Sequence, residues 1–236
     1  REMEAMDCHR SNLAARSSDI PVFGKTSSHS FQHVLSFAAS AMVIEIDSTR
    51  GALVALDLIS TTRELVGAVR QKVFDQTGIP IDAIMISASH THTGPSIRMS
   101  GRDQEQIKTA GKEVRAYYDS LPSKIAQSVE NAVGELAEVE LHVGTDEARG
   151  LAFCRRFHMT DGTVGWNPPK LSDEIIRPVG PTDDEVPVVI VRSPKGDPLA
   201  VYLNFAMHLD TVSGSKVSAD YPAVAAELLR RAMGKD

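Results

Sequence analysis

Ala52-Leu53-Val54-Ala55-Leu56-Asp57-Leu58-Ile59 is the stretch on which the fold turns. It is apolar apart from Asp57, which reads as a strand covered on both faces rather than one with a wet side. Just downstream, Thr61 or Thr62 is placed to cap a helix, and Glu64 falls in its first turn. Leu65, Val66, Val69, Val73 and Phe74 then recur at helical spacing until Gly78 and Pro80 end the helix. Ile84-Met85-Ile86-Ser87-Ala88 follows as a second short strand. Strand, helix, strand is a βαβ signal and predicts a partly parallel sheet. Upstream, the apolar residues 34–46 face the run 51–59 across Asp47-Ser48-Thr49-Arg50-Gly51, the pattern of a hairpin. The expected fold is α/β, with mixed, largely buried β-sheet layers flanked by helices and a site at the C-terminal ends of strands.

The remaining segments fill in around that unit. Residues 1–30 are polar and Ser-rich and are expected to be a loosely ordered opening segment, with the folded domain over 31–236. Residues 96–111 read as a loop. Residues 112–134 form the longest helix candidate, with Tyr117, Leu121, Ile125, Val129 and Val133 on one stripe and Pro122 marking a break near its start. Val139 to Val143 alternate as a strand does. Residues 160–185, rich in Gly and Pro, read as one long connection. Val186 to Val191 and Leu199 to Ala206 are strands around a Lys195-Gly196-Asp197 turn, and 221–233 is an amphipathic helix with Pro222 in its first turn. There is no internal repeat.

Composition narrows the class. With 236 residues, 42% hydrophobic and 24% charged, the chain has the balance of a globular protein large enough for a sizeable core. A net charge of −6 and only 5% aromatics argue against a nucleic-acid partner, which needs clustered Lys and Arg. No run reaches the roughly 18 apolar residues of a membrane span. Residues 34–46 are interrupted by Ser36, Ser40 and Glu45. No signal-peptide pattern opens the sequence; Arg1 rather than Met stands first, and a processed product or a fragment is expected. Cys8 and Cys154 are read as two free or buried thiols, since spacing alone does not establish a pair.

The chemistry-bearing residues gather in two places. Ser87-Ala88-Ser89-His90-Thr91-His92-Thr93-Gly94-Pro95 follows a strand, and Asn204-Phe205-Ala206-Met207-His208 closes another. If residues 84–92 are extended, His90 and His92 point the same way. Imidazole is the commonest metal ligand at neutral pH, and catalytic zinc takes histidine nitrogens while keeping one position for water. An isolated His-x-His also occurs in surface loops, and His208 also fits a core histidine bonded to a carbonyl. Asp57 is placed to orient a ligand histidine through its other ring nitrogen; Asp220 is placed to do the same or to cap the last helix.

These segments resemble the neutral/alkaline non-lysosomal ceramidase family in its amino-terminal catalytic region. The likeness rests on His90 to Pro95, on Asn204 to His208, and on Ser218-Ala219-Asp220-Tyr221-Pro222. It extends through Phe153-Cys154-Arg155-Arg156-Phe157, Asp161-Gly162-Thr163-Val164, Asn167-Pro168 and Gly180-Pro181-Thr182-Asp183, in order, over roughly residues 34–236. The resemblance implies a zinc-dependent hydrolase of an N-acyl amide bond, with a ceramide-like lipid amide as substrate. It implies His90 and His208 as zinc ligands and His92 and Arg155 beside the reacting carbonyl. It also implies a secreted or periplasmic protein with peripheral membrane contact. Without it, Arg155 reads equally as an exposed member of an Arg-Arg pair.

The sequence departs from the family at Leu209, where proline is frequent, and at Cys154, where Asn is common. The family's Glu and Tyr ligands come from a later region, so a truncated catalytic unit is expected, with that carboxy-terminal region supplying them. Two other readings stand beside amide hydrolysis. One is a metallohydrolase of another amide or ester, and the other is a non-catalytic domain that binds a ligand or partner.

Overall fold

The computed structural model describes the backbone of residues 10–16 and the whole of residues 38–95, 111–214 and 216–234. Its strands are β1 (Arg10–Arg16), β2 (Ala39–Ile46), β3 (Thr49–Leu56), β4 (Ile84–Ala88), β5 (Ala137–Glu147), β6 (Arg156–Met159), β7 (Val164–Trp166), β8 (Ile175–Pro178), β9 (Glu185–Arg192) and β10 (Pro198–Leu203). Its helices are α1 (Arg63–Thr77), α2 (Lys112–Gly134) and α3 (Asp220–Ala232), with a short 3-10 turn at Ile81–Ala83. Seven strands make one mixed sheet in the order β10-β9-β5-β1-β2-β3-β4, and β7-β6-β8 make a separate small one.

The opening βαβ expectation holds. Strands β3 and β4 run parallel, Ala52 opposite Ile84 through Leu56 opposite Ala88, with α1 between them. Thr62 caps that helix by accepting from the Leu65 N–H at 3.1 Å. Gly78 ends it at φ 73°, a left-handed position where a Cβ is costly. The hairpin also forms, but its turn is tighter than the sequence suggested. Ile46 already pairs with Thr49, so only Asp47 and Ser48 turn, both at positive φ. A two-residue turn of that kind matches the strand twist.

Helices α1 and α2 cover one face of β2, β3 and β4. Leu65, Val69 and Val73 meet Leu121, Ile125 and Val129 there, over Val43, Val54 and Ile84. Helix α2 runs unbroken through Pro122, contrary to the expected break. Proline removes one backbone hydrogen bond, and the buried stripe on either side of it keeps the helix in place. The other sheet face buries Met42, Val139 and Val191, and burial falls away along β5 until Val143 is 60% exposed.

Two further expectations are corrected. Residues 10–16, inside the segment expected to be loosely ordered, form the central strand β1, paired with β2 on one side and β5 on the other. Arg-Ser-Asn-Leu-Ala-Ala-Arg carries no apolar alternation, and its backbone groups find partners only once both neighbours are in place. The 160–185 connection is not one loop, because it contains β7 and β8. Strands of three or four residues, with a register shift between His158 and Met159, show no readable period. Cys154 carries a free thiol; Cys8 and most of the 96–111 loop lie outside the described residues. No described helix is long and apolar enough to cross a membrane.

Ile125 is 1% exposed between the helices and the sheet, whereas Val143 lies on the open part of the other face. Ile125→Ala should destabilise the chain by about 3 kcal/mol, and Val143→Ala by less than about 0.5 kcal/mol. Urea unfolding of both variants checks this.

Candidate metal centre

Strand β4 delivers the first two histidines. Past Ala88 the backbone stays tied to the strand beside it, with Ser89 N–H donating to the Leu56 carbonyl at 2.8 Å and His90 N–H to that of Leu58 at 3.0 Å. His90 then adopts φ 70°, so 84–92 is not a continuous extended run. The two histidines still share a side because the threonines take the other. Thr91, fully buried, donates its hydroxyl to the Ser218 carbonyl at 2.6 Å, and Thr93 donates to the same oxygen at 2.9 Å. His90 and His92 are left facing outward.

His208 arrives by a different route from the one expected. Strand β10 stops at Leu203, and residues 204–208 are irregular rather than a strand ending in the histidine. Asn204 N–H still reaches the Pro187 carbonyl at 3.1 Å. His92 N–H donates to the Leu209 carbonyl at 3.0 Å, stitching the two loops together. Leu209 itself is buried.

The three imidazoles meet there. Ring centroids are 4.8 Å apart for His90 and His92, 5.1 Å for His90 and His208, and 4.5 Å for His92 and His208. One ligand nitrogen from each lies within 4.8 Å of the others, and His92 Nε2 is 3.2 Å from His90 Nε2. Nitrogens bound to one zinc at about 2.0–2.1 Å in a tetrahedron are separated by about 3.3 Å; the His90–His92 pair has that spacing, and the three together lie close enough to hold a metal ion.

Protonation suits ligation as well. His90 Nδ1 lies 2.6 Å from the Ile59 carbonyl, which only accepts, so Nδ1 carries the proton and Nε2 keeps its lone pair toward the cluster. Burial lowers the His208 pKa below its ordinary value, and the charges of Arg155, His92 and His90 lower it further against Asp210. A lowered pKa keeps the ring neutral at pH 7, the form that binds metal. Arg155 is held over the Trp166 ring, its guanidinium carbon 4.7 Å from the centroid, close enough for its charge to act on His208.

The two aspartates sit behind the loops. Asp57 Oδ2 accepts from the Ala38 N–H at 3.0 Å, which ties the start of β2 to the end of β3. Asp220 is 1% exposed and stands at φ 60°. Its carboxylate accepts from the N–H groups of Thr211 at 3.0 Å, Val212 at 3.2 Å and Tyr221 at 2.6 Å, and from the Thr211 hydroxyl. Burial alone would raise its pKa; the bonds from Thr211, Tyr221 and Val212 outweigh that and hold it below the usual carboxylate range. It thereby ties the loop after His208 to the start of α3. Sequence reading missed the Ile59 and Ser218 carbonyls, since a main-chain acceptor leaves no trace in residue identity. The alternation of His and Thr over 90–93 was the available signal for the anchoring threonines.

Asp220→Ala strips a buried carboxylate from three backbone donors and should cost about 3 kcal/mol of stability. It should also weaken binding of a divalent metal ion at the three histidines about 10- to 100-fold by freeing the His208 loop, as measured by chelator competition. Because the folded-state pKa is depressed, the carboxylate's contribution is present above the unfolded value near 4 and fades as pH falls below it. The gap in thermal midpoint between Asp220→Asn and the parent should therefore narrow below about pH 4.

No protein-family model matches the chain, and no curated protein does. Solved structures do. The fold is similar to that of neutral ceramidase from Pseudomonas aeruginosa, at 16% identity and a TM-score of 0.61, over 96% of this chain and 35% of that one. It is likewise similar to a ceramidase complexed with C2, at 16% identity and a TM-score of 0.62, over 97% of this chain and 35% of that one. The chain thus spans 35% of the length of these structures, and at this identity the likeness is one of fold: the architecture is ceramidase-like, and it carries a cluster of three histidines able to hold a metal ion.

Proposed function

We propose that the chain is the amino-terminal catalytic region of a ceramidase-type hydrolase that cleaves the N-acyl amide bond of a ceramide-like lipid with the help of zinc. The observation that carries this reading is the approach of three ligand nitrogens to within 4.8 Å of one another at the ends of two loops. The ceramidase-like fold supports the same reaction class. His90 and His208 would hold the ion. Zinc in such a site polarises a carbonyl and brings the pKa of water down to about 7. His92 stands beside both rings, placed to pass a proton to the departing amine nitrogen. Arg155 brings a positive charge next to His208, where the amide oxygen gains negative charge. Further ligands, a Glu and a Tyr, would come from polypeptide beyond the 236 residues.

The 3.2 Å separation of the His90 and His92 Nε2 atoms favours a second assignment, with His92 as a third ligand. Mutants separate the two. With His92 as the proton carrier, His92→Ala keeps bound zinc but loses hydrolysis by about 10²-fold or more, whereas His90→Ala and His208→Ala lose the metal. With His92 as a ligand, all three lose it.

Metal content and turnover test the proposal directly. Purified protein should carry about one zinc per chain and release free fatty acid from an N-acylsphingosine, and a chelator should abolish that activity. Protein that takes up no zinc, or whose amide hydrolysis survives both the chelator and His90→Ala, overturns the reading. Zinc uptake with hydrolysis of esters alone would reassign the substrate.

A further inference from the structure

Arg155 brings a positive charge to His208, yet among the described residues its guanidinium forms no ion pair and no hydrogen bond. What it touches is an aromatic face, the Trp166 ring, with its central carbon 4.7 Å from the ring centroid. The main chain sets the two side chains together. Arg155 lies just before β6, and its carbonyl accepts from the Asn167 N–H at 2.8 Å. Arg156 then pairs with Trp166 in the ladder. Asn167 makes its bond at φ 49°, a left-handed position that asparagine tolerates better than most residues. The end of β7 is thereby tied to the segment that carries Arg155. Trp166 itself is 65% exposed and belongs to neither buried cluster, so core packing does not explain a tryptophan there.

We propose that Trp166 is the positioning residue for Arg155: its ring face holds the guanidinium beside the metal centre and leaves the positive charge uncancelled. A carboxylate in its place would grip the guanidinium more strongly but neutralise it. An aliphatic side chain would leave the charge intact but lack the electron-rich face that attracts it. An aromatic ring does both. Such a support suits a cation whose partner is negative charge that arises during a reaction rather than a charge already fixed in the protein. The use made of the cation rests on reading the centre as an amide hydrolase; the stacking itself does not.

Proton NMR of the metal-free chain reads the stacking without turnover. The ring current of Trp166 should move the Arg155 δ-methylene protons upfield in the parent, less so in Trp166→Phe, and not in Trp166→Leu. Hydrolysis of an N-acylsphingosine reads the consequence. Trp166→Leu should lower kcat about fivefold with little change in KM, and Trp166→Phe should recover most of that loss. Trp166→Glu should lower kcat further than Trp166→Leu, because it keeps the guanidinium but cancels its charge. In an Arg155→Ala background, itself slower by about 10²-fold, Trp166→Leu should cost nothing more, since it acts only through the guanidinium. Circular dichroism and zinc content of the Leu and Phe variants should stay those of the parent.

Arg155 protons at ordinary positions in the parent, full kcat in Trp166→Leu or Trp166→Glu, or an equal loss from Trp166→Leu with and without Arg155 would each overturn the proposal. A parent chain that hydrolyses no amide removes the functional reading, and the proton shifts alone then decide whether Trp166 holds Arg155.

Discussion

One carbonyl oxygen, that of Ser218, holds the metal centre together. It accepts from the hydroxyls of both Thr91 and Thr93, 2.6 and 2.9 Å away. Each such bond contributes about 1 kcal/mol net, and leaving the buried Thr91 hydroxyl unpaired would cost more. The consequence is geometric. With both threonines committed to the segment that leads into α3, the two rings that alternate with them, His90 and His92, turn outward together. The same contact joins the loop after β4 to chain more than a hundred residues later, so the site exists only in the folded protein.

Two of the six described non-glycine residues at positive φ lie at the same place. His90 and Asp220 both sit in the left-handed region, which is unfavourable for residues with a Cβ and costs about 1–3 kcal/mol each. The surroundings offset it. His90 is fixed from behind by the Ile59 carbonyl, and Asp220 by its bonds from Thr211, Val212 and Tyr221. Both conformations bring segments of chain into contact that straight strands would keep apart. A centre built this way places its donor atoms through main-chain bonds rather than through charged side chains behind each histidine.

The sheet supplies the rigid part. Parallel strands β3 and β4 end side by side, and the helices packed on one face hold those ends in place. The small sheet brings Arg155 in from another direction, resting on Trp166. Cation and histidines thus come from separate elements, and the charge of Arg155 adds through space to the burial of His208 in lowering the His208 pKa.

Local sequence patterns determined much of this. The apolar run 52–59 does form a strand, but it ends at Leu56 and buries Ala52, Val54 and Leu56 on one face while Ala55 on the other is exposed, so it is not covered on both. The Thr62 cap, the Leu65-Val69-Val73 stripe and the Gly78 stop are short-range signals, and each appears in the structure as read. So did the residue types that make the centre, because few side chains other than imidazole suit such a role at neutral pH. What the tertiary structure alone decided is everything whose cause lies far along the chain. Strand β1 is polar and aperiodic and is a strand only because β2 and β5 flank it. Likewise, β10 stops at Leu203 and leaves His208 on a loop. The rings converge because main-chain carbonyls at Ile59, Leu209 and Ser218 accept bonds from the segments that carry them. Every residue has such a carbonyl, so residue identity cannot mark which ones will be used; only the approach of distant segments does.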